Sequence, residues 1–335
     1  MRENLSIKKL NRIILLIVGL AAVILPLLIT NSYRLYFFSF VGIYIVAASG
    51  LDILFGYAGM ISFGHIAYYA IGAYVTTLLT TYTGIPVVAS MLIAAVVAAA
   101  AGALVALPCS KLKFQFLALA SIAFANFIYQ LICNISFLEP YRGLKVEPLS
   151  IFGINLNSNY RYTYYFILVC VVIALLAKHM IVKSKIGRAF MACRDNTRSA
   201  DGMGINVRKY KVMAFAISTF YVGFAGACAA HLNELVVSNT YIQSNAFNYV
   251  IMCIFGGVNT IFGPVIGAVV FQFINEALAS ATAWRDIIFG GVVLLFIAFL
   301  PGGCMGALKK LEGKLAARLN MGKKETAAEG VEKND

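Results

Sequence analysis

The chain is built from long apolar runs separated by short polar connectors. Ten such segments can be drawn, at roughly 13–30, 35–55, 60–81, 85–107, 114–137, 162–182, 212–232, 242–256, 264–281 and 284–300. Most approach the roughly 20 residues that a helix needs to cross a bilayer core. Backbone polar groups in lipid must be paired within the segment or within a closed barrel, and the short alternating segments of a barrel are missing. The pattern predicts an all-α, polytopic transmembrane helical bundle with about 8–10 membrane segments. The count is open around 242–281, where the first piece is short and reads either as a crossing or as a re-entrant half-helix. Residues 1–307 read as one transmembrane domain, and 308–335 as a polar cytoplasmic tail, partly disordered. The stretch 138–161, with Pro140, Gly143, Pro148 and Gly153, reads as an irregular outer loop.

Composition agrees, with 61% hydrophobic and 12% charged residues, against roughly 25% charged in soluble domains. The net charge of +13 would suit a nucleic-acid partner, but its placement argues against one. With the N-terminus inside, beside Arg2, Lys8, Lys9 and Arg12, the Lys111/Lys113 turn, the 183–211 loop and the tail all fall inside too. Those regions hold most of the 27 lysines and arginines, as the positive-inside rule requires. Arg34, Arg142, Lys145, Arg161 and Arg285 fall outside, and Lys178 sits near the inner end of its segment. The basic start and first apolar run resemble a signal peptide, but no small-residue cleavage site stands out, and we read the run as the first helix. The expected setting is the inner membrane, crossed several times, with both termini cytoplasmic.

Chemistry-bearing residues are sparse. The seven cysteines and His65, His179 and His231 are scattered without metal-ligand spacing, so neither a metal site nor a catalytic constellation is expected. Asp52, His65 and Glu276 are the intramembrane ionisable candidates, each near a segment end, where a charge can reach the interface. They form no spaced relay of the kind a proton-driven pump uses.

Two glycine-interrupted stretches occupy corresponding places in the two halves. One is Gly56-Tyr57-Ala58-Gly59-Met60-Ile61-Ser62-Phe63-Gly64-His65, and the other runs from Gly256-Gly257 through Asn259 to Gly263-Pro264. Broken helices so placed point to the solute path of a transporter, and Tyr57, Ser62, His65, Gly256, Gly257 and Asn259 are the candidate pathway residues. Close helix packing is the alternative use of such glycines, with Gly72-Ala73 and Gly223-xx-Gly226 as further examples. Between the halves, 183–211 carries eight Lys/Arg and two Asp. Its part 189–203 is compatible with one helix that Gly204 can end, with Phe190, Met191, Cys193 and Met203 as apolar contacts. Such a segment suits docking of another subunit, or contact with anionic lipid.

Three groups of residues resemble the permease subunits of ABC importers for branched-chain amino acids, over roughly 35–305. They are the first stretch followed by Gly72-Ala73-Tyr74; Gly187-Arg188-Ala189, Arg194-Asp195-Asn196, Ala200 and Gly204-Ile205-Asn206; and Gly256-Gly257, Gly263-Pro264, Gly267-Ala268 with Pro301-Gly302-Gly303. The resemblance, closer to the LivM than the LivH branch, implies a transport subunit rather than an enzyme. It implies a second permease subunit, two cytoplasmic ATPase subunits carrying ATP and magnesium, and an external solute-binding protein. Gly187, Arg188, Arg194, Asp195, Asn196 and Gly204 would then couple to the ATPases. No Gly-x-x-x-x-Gly-Lys-[Ser/Thr] phosphate loop is present, so this chain offers no nucleotide site of that type and no cofactor is expected on it. Met60 stands where the family often has Gln, and Asp52 where Asn is frequent. Related permeases serve urea, amides or nucleosides, and these remain alternatives, as does a self-sufficient carrier or channel.

Overall fold

The structure, a computed structural model, describes residues 19–29, 31–110, 114–138, 143–151, 153–280, 284–300 and 302–307. The tail from 308, the N-terminal basic stretch and the Lys111/Lys113 turn lie outside these residues. The described elements, in order, are α1 (Gly19–Leu28), α2 (Ser32–Asp52), α3 (His65–Thr83), α4 (Val87–Cys109), α5 (Phe114–Asn134), α6 (Tyr160–Lys183), α7 (Lys185–Asp195), α8 (Thr197–Gly202), α9 (Val207–Asn233), α10 (Ala246–Gly256), α11 (Gly263–Ala277) and α12 (Arg285–Phe299). Six helices among the described residues are long and apolar enough to cross a membrane: Ser32–Tyr57, Val87–Cys109, Phe116–Asn134, Tyr160–Lys183, Val207–Asn233 and Arg285–Ala307. The chain is a multi-pass, all-α membrane protein.

The segment 242–281 resolves into α10 and α11, of 11 and 15 residues. At 1.5 Å per residue α10 rises about 16 Å, roughly half a hydrocarbon core. It therefore forms a half-helix, folded back onto α11.

The long α9 is the centre of the bundle, packed on α2, α3 and α4. Small residues make that possible. A Cβ on Gly72 would run into the backbone of Gly223, and one on Gly226 into the Tyr69 carbonyl. Gly102 sits against Thr219, and Gly50 against Tyr221. In lipid no hydrophobic force draws helices together, so backbone approach of this kind supplies the cohesion. The glycines Gly72, Gly223 and Gly226 thus serve packing, one of the two uses read from the sequence. The outer surface is different: α12 has no buried residue among those described.

Several polar groups inside the bundle are paired, while the Ser49, Tyr68 and Tyr74 hydroxyls and His65 Nδ1 have no hydrogen-bond partner among the described residues. Thr77 and Thr80 donate to carbonyls one turn back, and Thr76 links Ser90 (2.8 Å) to His231 Nε2 (2.9 Å). His231 Nδ1 lies 2.7 Å from the Glu147 carbonyl, which ties the connection before α6 to the end of α9. That connection is more ordered than the irregular loop expected. It holds β1 (Leu144–Lys145), β2 (Ser150–Ile151) and β3 (Ile154–Asn155). β2 pairs with β3, and β1 pairs antiparallel with β4 (Leu235–Val236), which follows α9.

Candidate functional site

The two glycine-interrupted stretches meet. The first begins where α2 loosens into a π-helical turn, Ile53–Tyr57, and Met60 N–H reaches back to the Leu54 carbonyl at 3.0 Å. Gly59 then takes φ +66°, a left-handed conformation natural to glycine. The second stretch turns at Gly257 (φ +96°) and Asn259 (φ +61°), and Thr260 Oγ1 donates to the Gly257 carbonyl at 2.7 Å. A Cβ on Gly56 would strike both Asp52 Oδ1 and the Asn259 nitrogen. Gly56 therefore sits at the crossing because only a hydrogen fits there.

A buried ion pair fastens the crossing. Lys178 Nζ donates to Asp52 Oδ2 at 2.7 Å, and both side chains are fully buried. Asp52 Oδ1 accepts from the Asn259 N–H at 2.8 Å, and Lys178 donates a second bond to the Thr260 carbonyl at 3.0 Å. The ammonium also lies 5.8 Å from the centre of the Tyr57 ring, within cation–π range. Two charges can stay in a low-dielectric interior only when paired and further hydrogen-bonded, as here. Three separate parts of the chain, the end of α2, the inner part of α6 and the second break, are joined at this one point.

Asp52 and His65 do lie at segment ends, but neither reaches an interface. Asp52 is enclosed by the second break, and His65 Nε2 is bonded to Ser218 Oγ at 2.8 Å, with Tyr68 and Phe215 beside the ring. Glu276 alone is exposed, accepting from the Tyr33 hydroxyl at 2.7 Å. Lys178, placed by the sequence near the inner end of its segment, pairs with Asp52 instead of reaching the interface. A lysine five residues inside an apolar helix, with one aspartate at the same depth in another, was the available signal.

The segment after α6 is two helices rather than one. Ser184 caps α7 by accepting from Ile186 N–H (3.1 Å) and Gly187 N–H (3.5 Å). A Cβ on Gly187 would meet the Val182 carbonyl, so the bend from α6 into α7 needs glycine. Asn196 leaves the helix at φ −155°, ψ 104°, and its Oδ1 accepts from the Arg198 and Ser199 N–H groups at 3.0 Å, starting α8. Asparagine ends one helix here because its side chain nucleates the next. Gly204 closes α8 at φ +80°, as its position led one to expect. Phe190 and Cys193 face the core, and burial pushes the Cys193 thiol pKa up. Met203 is 82% exposed, contrary to the contact expected of it, because the break at Asn196 turns the second helix away.

Arg194 connects this segment to the crossing. Its Nη1 donates to the Gly56 carbonyl at 2.8 Å, and its stem lies against Gly59. Its Nε also holds Asp195 Oδ1 at 3.0 Å, a pair too exposed to add much stability. Arg188 points outward, its Nη1 reaching only the Lys183 carbonyl at 3.4 Å. A cavity of about 660 Å³ lies alongside, lined by Ala58, Gly59 and Met60 on one wall and by Arg194, Arg198 and Lys211 on another. Of the sequence-predicted pathway residues, Tyr57 and Asn259 meet at the ion pair, while Gly256 packs on Gly263 and Gly257 on Gly302. Ser62 and His65 are buried further along, toward α5 and α9, where Phe63 N–H donates to Ser121 Oγ at 3.0 Å.

The model of the family described as "branched-chain amino acid transport system / permease component" matches residues 33–297. The chain belongs to this family. The match takes in both breaks, the ion pair and the α7–α8 segment, so the permease family provides the setting for all of them. Among its relatives is the high-affinity branched-chain amino acid permease protein LivM of Escherichia coli (strain K12), 24% identical over 287 residues, covering 78% of this chain and 68% of LivM. LivH of the same strain is 26% identical over 286 residues, covering 78% of this chain and 91% of LivH. The xylose permease protein XylH of Haemophilus influenzae is 30% identical over 155 residues, 43% of this chain and 41% of XylH. No solved structure matches the chain.

Proposed function

We propose that this chain is one permease subunit of an ATP-driven importer that carries branched-chain amino acids across the bacterial inner membrane. The observation that carries the reading is the bond from Arg194 to the Gly56 carbonyl, 2.8 Å long, which places the α7–α8 segment directly on a helix break. On this reading both termini are cytoplasmic and α7–α8 faces the cytoplasm. A cytoplasmic ATPase pair pushes on Arg188, Asn196 and the exposed edge of α8, and Arg194 passes the displacement to Gly56. The break is held to Asp52, Lys178 and Asn259 at one crossing, so it shifts together with the second break. A packed two-state element of this kind is what a coupling claim needs. The partners are a second permease subunit, two ATPase subunits that bind ATP and magnesium, and an external binding protein that delivers the amino acid. No reaction on this chain is required.

The test is Arg194→Glu in cells carrying the native complex. Insertion and assembly are expected to stay normal while amino-acid uptake falls by about tenfold or more, since a charge-assisted bond to a carbonyl is replaced by repulsion. Unchanged uptake would overturn the coupling role. Purification of the tagged chain from native membranes, with mass spectrometry of what accompanies it, checks the partners. Recovery of the chain alone as a homo-oligomer would favour a self-sufficient carrier.

A further inference from the structure

The outward faces of the membrane spans differ in kind. Away from the helix ends, every exposed residue of α4, α6 and α12 is apolar, with Leu92, Val96, Val172 and Leu294 as examples. Such faces suit hydrocarbon. α5 departs from this, because Asn126 and Gln130, one turn apart, are both exposed. Asn126 stands about 18 Å along the helix from Phe114 and about 12 Å from Asn134, well inside the span. A side-chain amide at that depth loses its water, and acyl chains offer it no hydrogen bond in return. Lipid is therefore a poor neighbour for this side of α5.

The opposite side of the helix is already occupied. Leu117, Ser121, Ala125 and Ile132 are buried and form the inward stripe of α5. That stripe seats the first break: Phe63 N–H donates to Ser121 Oγ at 3.0 Å, and a Cβ on Gly64 would meet the Ser121 carbonyl. Asn126 and Gln130 lie about 140° and about 180° around the helix from Ser121. Ala123, also exposed, is one turn from Asn126 on this outward side. A small residue beside two amides is the composition of a helix–helix contact in lipid.

We infer that this side of α5 is where a membrane helix of the second permease subunit packs, its side chains hydrogen-bonding Asn126 and Gln130. The inference rests on the permease reading above and goes further by naming the contact. Amides join helices in lipid, and Ala123 lets the two backbones approach. The chain is similar to both LivM and LivH of one strain. A partner of the same fold brings its own corresponding helix to the contact, as in a twofold pair. The subunit contact and the first break then lie on opposite sides of one helix. A shift of one subunit against the other moves Ser121, and Phe63 with it.

The experiment is photo-crosslinking in native membranes, with benzoylphenylalanine placed at Ala123 on α5, and at Val96 on α4 or Val172 on α6 as controls. Mass spectrometry identifies what each position captures. Ala123 is expected to capture a second, distinct permease protein, and Val96 and Val172 to capture lipid. Asn126→Leu and Gln130→Leu supply the second measurement, since leucine favours membrane insertion and guards against a folding artefact. Each is expected to lower recovery of the partner permease with the tagged chain by about threefold in detergent. Capture from Ala123 of lipid alone or of a second copy of this chain, or unchanged recovery in the double variant, would overturn the assignment. Purification of the unmodified complex separates the two readings. A partner permease that co-purifies but is captured from Val96 or Val172 in place of Ala123 sinks the α5 contact alone. Absence of any partner permease counts against the importer.

Discussion

The two helix breaks look alike in the sequence, yet the structure anchors them to different things. The first, after α2, lies under Arg194, whose stem packs on Gly59 and whose guanidinium bonds Gly56. The second, after α10, lies against the chain beyond α12: a Cβ on Gly303 would meet the Gly257 nitrogen, and Gly257 itself faces the Gly302 carbonyl. One break is therefore wired to the α7–α8 segment and the other to the end of the bundle, and they share only the Asp52–Lys178 crossing. Sequence symmetry between halves does not imply mechanical symmetry. Input arriving at α7 reaches the first break through Arg194, and the second through the crossing, where Lys178 of the adjoining α6 bonds the Thr260 carbonyl.

The largest effect is expected where the breaks join. Lys178→Met leaves Asp52 as a lone buried anion, and Asp52→Asn leaves Lys178 as a lone buried cation. Each is expected to cost about 3–5 kcal/mol, whereas replacing both partners together should cost far less. Thermal melting of the detergent-solubilised single and double variants forms a cycle that reads the coupling directly. Additive losses would show that the pair is incidental to holding the breaks together.

The next effect distinguishes one break from the other. Gly59→Val and Gly257→Val each place a β-branched side chain in a left-handed conformation, and each is expected to destabilise by about 1–3 kcal/mol. Their consequences should differ in location. Hydrogen exchange is expected to rise over 185–202 in the Gly59 variant, since Arg194 is displaced, and over 302–307 in the Gly257 variant. Matching exchange maps for the two would erase the asymmetry.

Much of the fold was legible because lipid leaves the sequence few choices: apolar runs of helical length gave the spans, and glycines at matching places gave the breaks. The pairing of Asp52 with Lys178 was not legible, because a charge near a segment end looks the same whether it reaches water or a counter-ion. What decides between these is the second break folding over Asp52, a contact between residues far apart in the chain. Arg194 was visible as part of a basic segment, and the choice between an outward and an inward-turned side chain depended on Gly59 opening space for it.

The smallest expected effect tests whether α7 and α8 act as one lever or two. Asn196→Ala removes the oxygen that accepts from Arg198 and Ser199, a loss of about 1 kcal/mol for an N-cap. The loss falls on α8, which has only six residues and little other support, while α7 keeps its Ser184 cap and the Phe190 and Cys193 contacts with the core. Hydrogen exchange is therefore expected to speed up in 197–202 and to stay unchanged in 185–195. If α7 loosens as well, the two helices form a single cooperative unit, and displacement of α8 must be felt at Gly56. If only α8 loosens, α7 remains seated on the first break through Arg194, and a partner must grip α7 itself to move it.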